Sequence, residues 1–221
     1  MDLEHAVYNR RSTRKFLKDS LPKKTIKEII EKATWCPSWG NTQPWEVVVV
    51  TGSALEKLKN ENRSAILSEK IPETDIPMPE NWPFAMKKRY ADVGKQVLES
   101  LSIKREDKKG RLEHYANMFY FFDAPALLLF TVDKQLAVEY AALDTGIFIQ
   151  NICLLAHEKK IGTCVLAASI HFPDIVRRLC VISENKRLVM GIAMGYPDNS
   201  SPVNRFKRER ICVDDFVTWA T

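Results

Sequence analysis

The chain has 221 residues, of which 45% are hydrophobic, 28% charged and 10% aromatic, the balance of a chain that buries a core rather than one that stays disordered. Its 33 Lys and Arg against 28 Asp and Glu give a formal net charge of +5, which suits an anionic small ligand and falls short of a dedicated nucleic-acid binder. The 5 cysteines, odd in number and without a C-x-x-C pair, argue against a disulfide framework and a zinc site and point to a reducing cytoplasm.

Leu3, Ala6 and Val7 predict a short helix over 2–9, leading into the basic stretch Arg10-Arg11-Ser12-Thr13-Arg14-Lys15. After Ser20-Leu21-Pro22, the spacing of Ile26, Ile29, Ile30 and Ala33 predicts an amphipathic helix from Lys23 to Thr34, stopped by Cys36-Pro37. Trp45 to Thr51 holds four consecutive valines, apolar on both faces and too short for a helix, so it is expected as a central strand. A helix from Ala54 to about Ser68 follows. Between about 69 and 117 the prolines at 72, 77, 79 and 83, a charged helix at roughly 85–102 and the charges from Lys104 to Arg111 predict a lid-like surface excursion.

Ala124 to Val132 reads as a second buried strand. The stretch 135–160 is apolar nearly all round, so the helix expected there must be buried by its own fold or by a second copy of the chain. Thr163 to Ala168 and Arg187 to Met194 supply two further strands, with a helix beginning at Pro173 between them. The tail at about 200–221 is basic and then amphipathic, an arm that needs a partner surface. The amino end lacks the pattern of a signal peptide, and no apolar run is read as long enough to span a membrane.

The 8 glycines form neither a G-x-G-x-x-G nor a Walker spacing, so any nucleotide must be held by side chains. Arg10, Arg11 and Arg14 with the hydroxyl of Ser12 are equipment for a phosphate, weighed against a merely solvated basic turn. Downstream, Cys36-Pro37-Ser38-Trp39-Gly40-Asn41-Thr42-Gln43-Pro44-Trp45 offers donors and acceptors for the edge of a planar heterocycle; the alternative is a hydrogen-bonded connector. Asp144 reads better as a charge that is paired or caps a backbone group than as a catalyst. His5, His114, His157 and His171 match no metal-ligand spacing, and Cys36 reads as a small buried hydrophobe.

The two polar segments together, Arg-Arg-Ser-x-Arg and Pro-Ser-x-x-Asn-x-Gln-Pro-Trp, resemble the FMN-dependent nitroreductase family. The likeness continues through Asp144-x-Gly146-x-x-x-Gln150-Asn151, Gly162-Thr163-Cys164, Gly191 to Pro197, and Asn204-Arg205-Phe206-x-x-Glu209-Arg210, and is weakest over about 53–115. It implies an α+β fold of 1–221 as one domain: a mostly antiparallel central sheet flanked by helices, in an intertwined homodimer with FMN at the interface. Arg10, Ser12 and Arg210, with Arg11 nearby, would hold the FMN phosphate and Arg14 the pyrimidine edge of the flavin. Pro37, Ser38, Asn41 and Gln43 would reach the flavin from the partner subunit or line its face, and backbone amides around Val165, Leu166 and Ala167 would approach its edge near N5.

The resemblance also implies NADH or NADPH as a transient hydride donor, with a nitroaromatic or quinone as small-molecule acceptor in a ping-pong cycle. No catalytic side chain is named, because the flavin carries the chemistry. No nucleic acid, membrane or metal is expected. Alternatives within the fold are reductive dehalogenation, flavin fragmentation or dehydrogenation; outside catalysis, the alternative is a flavin-binding or anion-binding protein without turnover.

Overall fold

The computed structural model describes residues 2–220. The helices are α1 (Leu3–Asn9), α2 (Lys23–Ala33), α3 (Gly52–Leu67), α4 (Phe84–Ser100), α5 (Lys108–Phe119), α6 (Val138–Glu158) and α7 (Pro173–Cys180). The strands are β1 (Glu46–Thr51), β2 (Ala126–Asp133), β3 (Gly162–Val165) and β4 (Lys186–Gly195), paired antiparallel in the order β1-β2-β4-β3.

Alternation along β2 explains the sheet's two-sided burial. Leu127 and Leu129 face a core built with Leu55 and Leu58 of α3, Phe119 of α5 and Val176 of α7. Ala126, Leu128 and Phe130 face the other way, onto Ile26 and Ile29 of α2 and Phe148 and Ile152 of α6. With both faces covered by helices, β2 reads as an unbroken apolar run from Ala126 to Phe130.

The valine-rich β1 is an edge strand, not the central one its sequence suggests. Val50 is buried but Val49 is 42% exposed, and among the described residues β1 pairs only with β2. An apolar pattern on both faces demands cover on both faces; it does not demand a central place in the sheet of one chain.

The excursion is narrower than 69–117. Its start is tied down: the Glu73 N–H donates to His171 O at 3.1 Å, and Asp75 pairs with the buried Arg177 at 2.6 Å and accepts from the Leu188 N–H at 2.7 Å. Its end is α5, which packs on α3 and exchanges the ion pair Arg63–Glu113 at 2.8 Å. What projects is the proline-rich stretch and α4, where Trp82, Phe84, Met86, Tyr90 and Val93 are exposed.

Contrary to the expectation that no run is long enough, the 21-residue α6 has the length and apolarity of a membrane-crossing helix. Its packing is that of a core helix: one side lies on the sheet and α2, and Asp144 and Thr145 are buried along it. The opposite stripe, Leu143, Gly146 and Gln150, is open, so the expected all-round burial is not met by this chain alone.

Candidate functional site

The basic segment after α1 runs along the free edge of β3. The Thr13 N–H donates to Thr163 O at 2.8 Å, with Ser12 opposite Thr163 in a parallel bridge, and Phe16 bridges Pro197. Glycine is required at 162 for this approach, because a Cβ there would stand 2.4 Å from Thr13 Oγ1. Alternation along an extended strip puts Ser12 and Arg14 on one side and Arg11 and the buried Thr13 on the other.

Asn204, buried, pins the strip to the start of the carboxy-terminal arm. Its side-chain oxygen accepts from the Arg14 N–H at 2.8 Å, and its amide donates to Lys15 O and Asp198 O at 2.7 and 2.9 Å. Beyond it the contacts become reciprocal. Arg11 donates to Phe206 O, and Arg208 donates to the carbonyls of Tyr8 and Arg10, groups that the end of α1 leaves unsatisfied. The Arg11 and Arg14 guanidinium carbons lie 5.5 and 5.8 Å from the centre of the Phe206 ring.

This packing gathers cations without neutralising them. Among the described residues Arg10, Arg11, Arg14, Arg208 and Arg210 form no ion pair with a carboxylate. Burial lowers the pKa of Arg11, and Arg208 and Arg14 beside it lower it further. Burial likewise lowers that of Arg208, reinforced by Arg210 and Arg10. Both remain protonated near neutrality, and among the described residues no carboxylate offsets their repulsion.

Arg210 itself stands at the margin. Its guanidinium donates to Glu209 O at 2.7 Å, and it lies beside Lys88, Asp92 and Gln96 of α4. Of the arm's arginines it is Arg208 that bonds the end of α1 and the strip, a residue that the sequence alone does not single out, although the run Arg205 to Arg210 holds the signal. Phe206 and Asn204 carry the contact between segments some 190 residues apart, which local pattern does not disclose.

After β3, Val165 is 42% exposed, Leu166 is buried and Ala167 opens a short 3₁₀ turn. The Leu166 N–H is committed to Gly191 O at 2.8 Å, which removes it from the donors available to a ligand.

The loop carrying Pro37, Ser38, Asn41 and Gln43 stands apart. Gly40, Asn41 and Gln43 take positive φ, and the turn is closed by Gln43 N–H to Ser38 Oγ at 3.0 Å and Gln43 Nε2 to Asn41 Oδ1 at 3.1 Å. It is fastened to α6, where the Trp39 N–H donates to Asp144 Oδ2 at 3.1 Å and Trp39 meets Tyr140 edge-on at 4.1 Å. Asp144 is thus a backbone cap, and Cys36 behind the loop is buried, which pushes its thiol pKa up. Asp144 and His157 are separated by about 20 Å of helix at 1.5 Å per residue. Among the described residues no hydrogen bond or ring contact joins this loop to the arginine strip or to 165–167.

Comparison with known proteins identifies the family. Residues 7–196 match the Nitroreductase family, and the chain belongs to that family. It is similar to the chloronitrobenzene nitroreductase of Comamonas testosteroni, 31% identical over 98% of this chain and 96% of the relative. A nitrobenzene nitroreductase of Ectopseudomonas oleovorans is also 31% identical, again over 98% of this chain and 96% of the relative. Among solved structures, the FMN-dependent nitroreductase NfnB from Mycobacterium smegmatis in complex with NADPH superposes with a TM-score of 0.92 at 28% identity, over 99% of this chain and 97% of that one.

Proposed function

We propose that the chain is an FMN-dependent oxidoreductase that takes reducing equivalents from NADH or NADPH and passes them to nitroaromatic acceptors, with quinones as a second acceptor class. The observation that carries the reading is the uncompensated arginine cluster of the strip and arm, which fits the phosphate of FMN by charge and by donor type. When bound, FMN supplies the two-electron chemistry, accepting hydride from the nicotinamide and delivering it to the acceptor. Arg10, Ser12 and Arg210, with Arg11 and Arg208 behind them, hold the phosphate. Arg14, fixed through its backbone by Asn204 and over Phe206, offers a cation to the electron-rich edge of the ring. Ala167 and the exposed Val165 border the other edge.

A homodimer completes the site. Pro37, Ser38, Asn41 and Gln43 are held toward the amino-terminal end of α6, and the strip lies at its carboxy-terminal end, so the two groups meet across a second copy. The unpartnered stripe along α6, the open edge of β1 and the exposed Ile211, Val213, Phe216 and Trp219 of the arm support the same assembly. Free cysteines, three of them buried, suit a cytoplasmic setting.

The purified protein is expected to be yellow, to bleach on anaerobic addition of NADH or NADPH, and to regain colour with a nitroaromatic. Parallel double-reciprocal lines are expected if donor and acceptor use one face in turn. A colourless protein that takes up no FMN would overturn the reading, and intersecting lines would overturn the shared face.

A further inference from the structure

A cavity of about 290 Å³ lies between α1, the end of α6, the start of β3 and the turn 197–204. His5, Arg10, Arg11, His157 and Lys160 line it, joined by amide side chains such as Asn199, and none of the lining residues is a carboxylate. Ser12, Arg14, Val165, Ala167 and Arg210 do not line it, so it adjoins the FMN groups and shares Arg10 and Arg11 with them without being the same space.

Lys160 enters this cavity at a conformational cost. The Lys160 N–H donates to His157 O and the Ile161 N–H to Ala156 O, both at 2.9 Å, closing α6 in the manner that usually places glycine at the residue after the cap. Lys160 holds φ at 60° there, a left-handed conformation that disfavours a side chain bearing Cβ. Beside it the His5 and His157 rings stack with centroids 6.5 Å apart, and the His157 Nε2 is buried with no hydrogen-bond partner among the described residues. A lysine held there at a backbone cost, a ring nitrogen without a partner among the described residues and arginines without carboxylates all border one space, and a phosphate accepts from all three kinds of donor.

We propose that this cavity is a second anion site, taking a phosphate dianion in addition to the phosphate of FMN. The space admits a phosphate with the sugar that carries it, not a whole dinucleotide. The phosphate is therefore either free or a ribose phosphomonoester such as the 2′-phosphate that distinguishes NADPH from NADH. The site rests on the FMN reading only in assuming that FMN occupies the neighbouring groups.

The test is calorimetric titration of the FMN-loaded enzyme, in phosphate-free buffer, with inorganic phosphate, 2′-AMP and 5′-AMP. One phosphate equivalent per chain beyond FMN is expected. Tighter binding of 2′-AMP than of either other probe identifies the ribose 2′-phosphate, and equal binding of phosphate and 2′-AMP identifies the free anion. Lys160→Gly should weaken phosphate about tenfold or more, with unchanged flavin content and no loss of thermal stability, since glycine is at ease at this φ; Lys160→Arg should restore binding. The site is overturned if the loaded enzyme binds no phosphate at millimolar concentration, or if Lys160→Gly binds it as the parent does. A chain that takes up no FMN sinks the functional reading instead, and the Lys160→Gly comparison still decides the site.

Discussion

Lys59 is 1% exposed and sits between two carboxylates, Glu56 at 2.7 Å and Asp123 at 2.9 Å, whereas the more accessible Arg10, Arg11, Arg14 and Arg208 have none among the described residues. Burial pushes the Lys59 ammonium pKa down and Glu56 pulls it back. Around Arg11 and Arg208, burial and neighbouring charge push the same way. The lysine therefore belongs to a finished cluster that serves the fold: with Lys18 it holds Asp123, the last of three consecutive residues at positive φ that lead into β2. The arginine cluster has no such counter-charge among the described residues, and on that the proposed FMN phosphate site rests.

The contrast is broken most directly by removing the arm. Truncation after Arg205 takes away Phe206, Arg208 and Arg210 and leaves Asn204 in place. With charge-assisted contacts contributing on the order of 1.5–3 kcal/mol each, FMN affinity should fall by about a hundredfold or more. Fluorescence titration measures it, and sedimentation should show the proposed dimer weakened in parallel, because a ligand held by two chains would favour their association. A truncated chain that retains FMN as a dimer would mean the arm is ornamental.

Arg10→Ala tests the same cluster by one residue. A loss of roughly 1.5–3 kcal/mol in FMN binding is expected, with riboflavin affinity unmoved because it has no phosphate. Lys59→Ala is the counterpart: about 2 kcal/mol less stable in urea denaturation, since removing one partner strands the others, though Glu56 and Asp123 retain some solvent. FMN affinity should stay within about twofold, the effect of a surface-level change. If the two substitutions exchanged their effects, the division into a structural and a ligand-binding cluster would be wrong.

Much of this site is legible in the amino-acid order, because motif-bearing loops are local: the strip at 10–14 and the loop at 37–43 need only their own neighbours to be recognised. The partners that complete them are long-range. Nothing near Arg11 announces Phe206, and nothing in the run Arg205 to Arg210 discloses that Arg208 meets the carbonyls at the end of α1 while Arg210 lies toward α4. The valines of β1 reveal apolar surroundings but not which side of the sheet supplies them. The charges from Lys104 to Arg111 mask the start of α5, which Asp107 announces, since its carboxylate caps the Gly110 N–H at 2.8 Å.

The smallest expected effect separates the clusters by pH. Burial lowers the pKa values of His114, His157 and His171 in the folded chain; Arg14 adds to this at His114, and His5, Arg10 and Arg208 add at His157, while His171 has burial alone. Unfolding returns all of them to about 6.5. As pH falls through that value the unfolded chain takes up protons that the folded chain does not, so stability is full above it and declines until the depressed folded values are reached. Melting temperature measured from pH 8 to 5 should therefore fall toward acid. An anion among the arginines offsets the charge facing His157, so saturating FMN should flatten the part of the slope that belongs to it. The part owed to His171, whose ring nitrogens are both buried without partners among the described residues, should persist with FMN and disappear in His171→Phe. An FMN-independent slope in every variant would show that the arginines do not act on His157, and the cluster would then lack the unbalanced charge that distinguishes it from the one around Lys59.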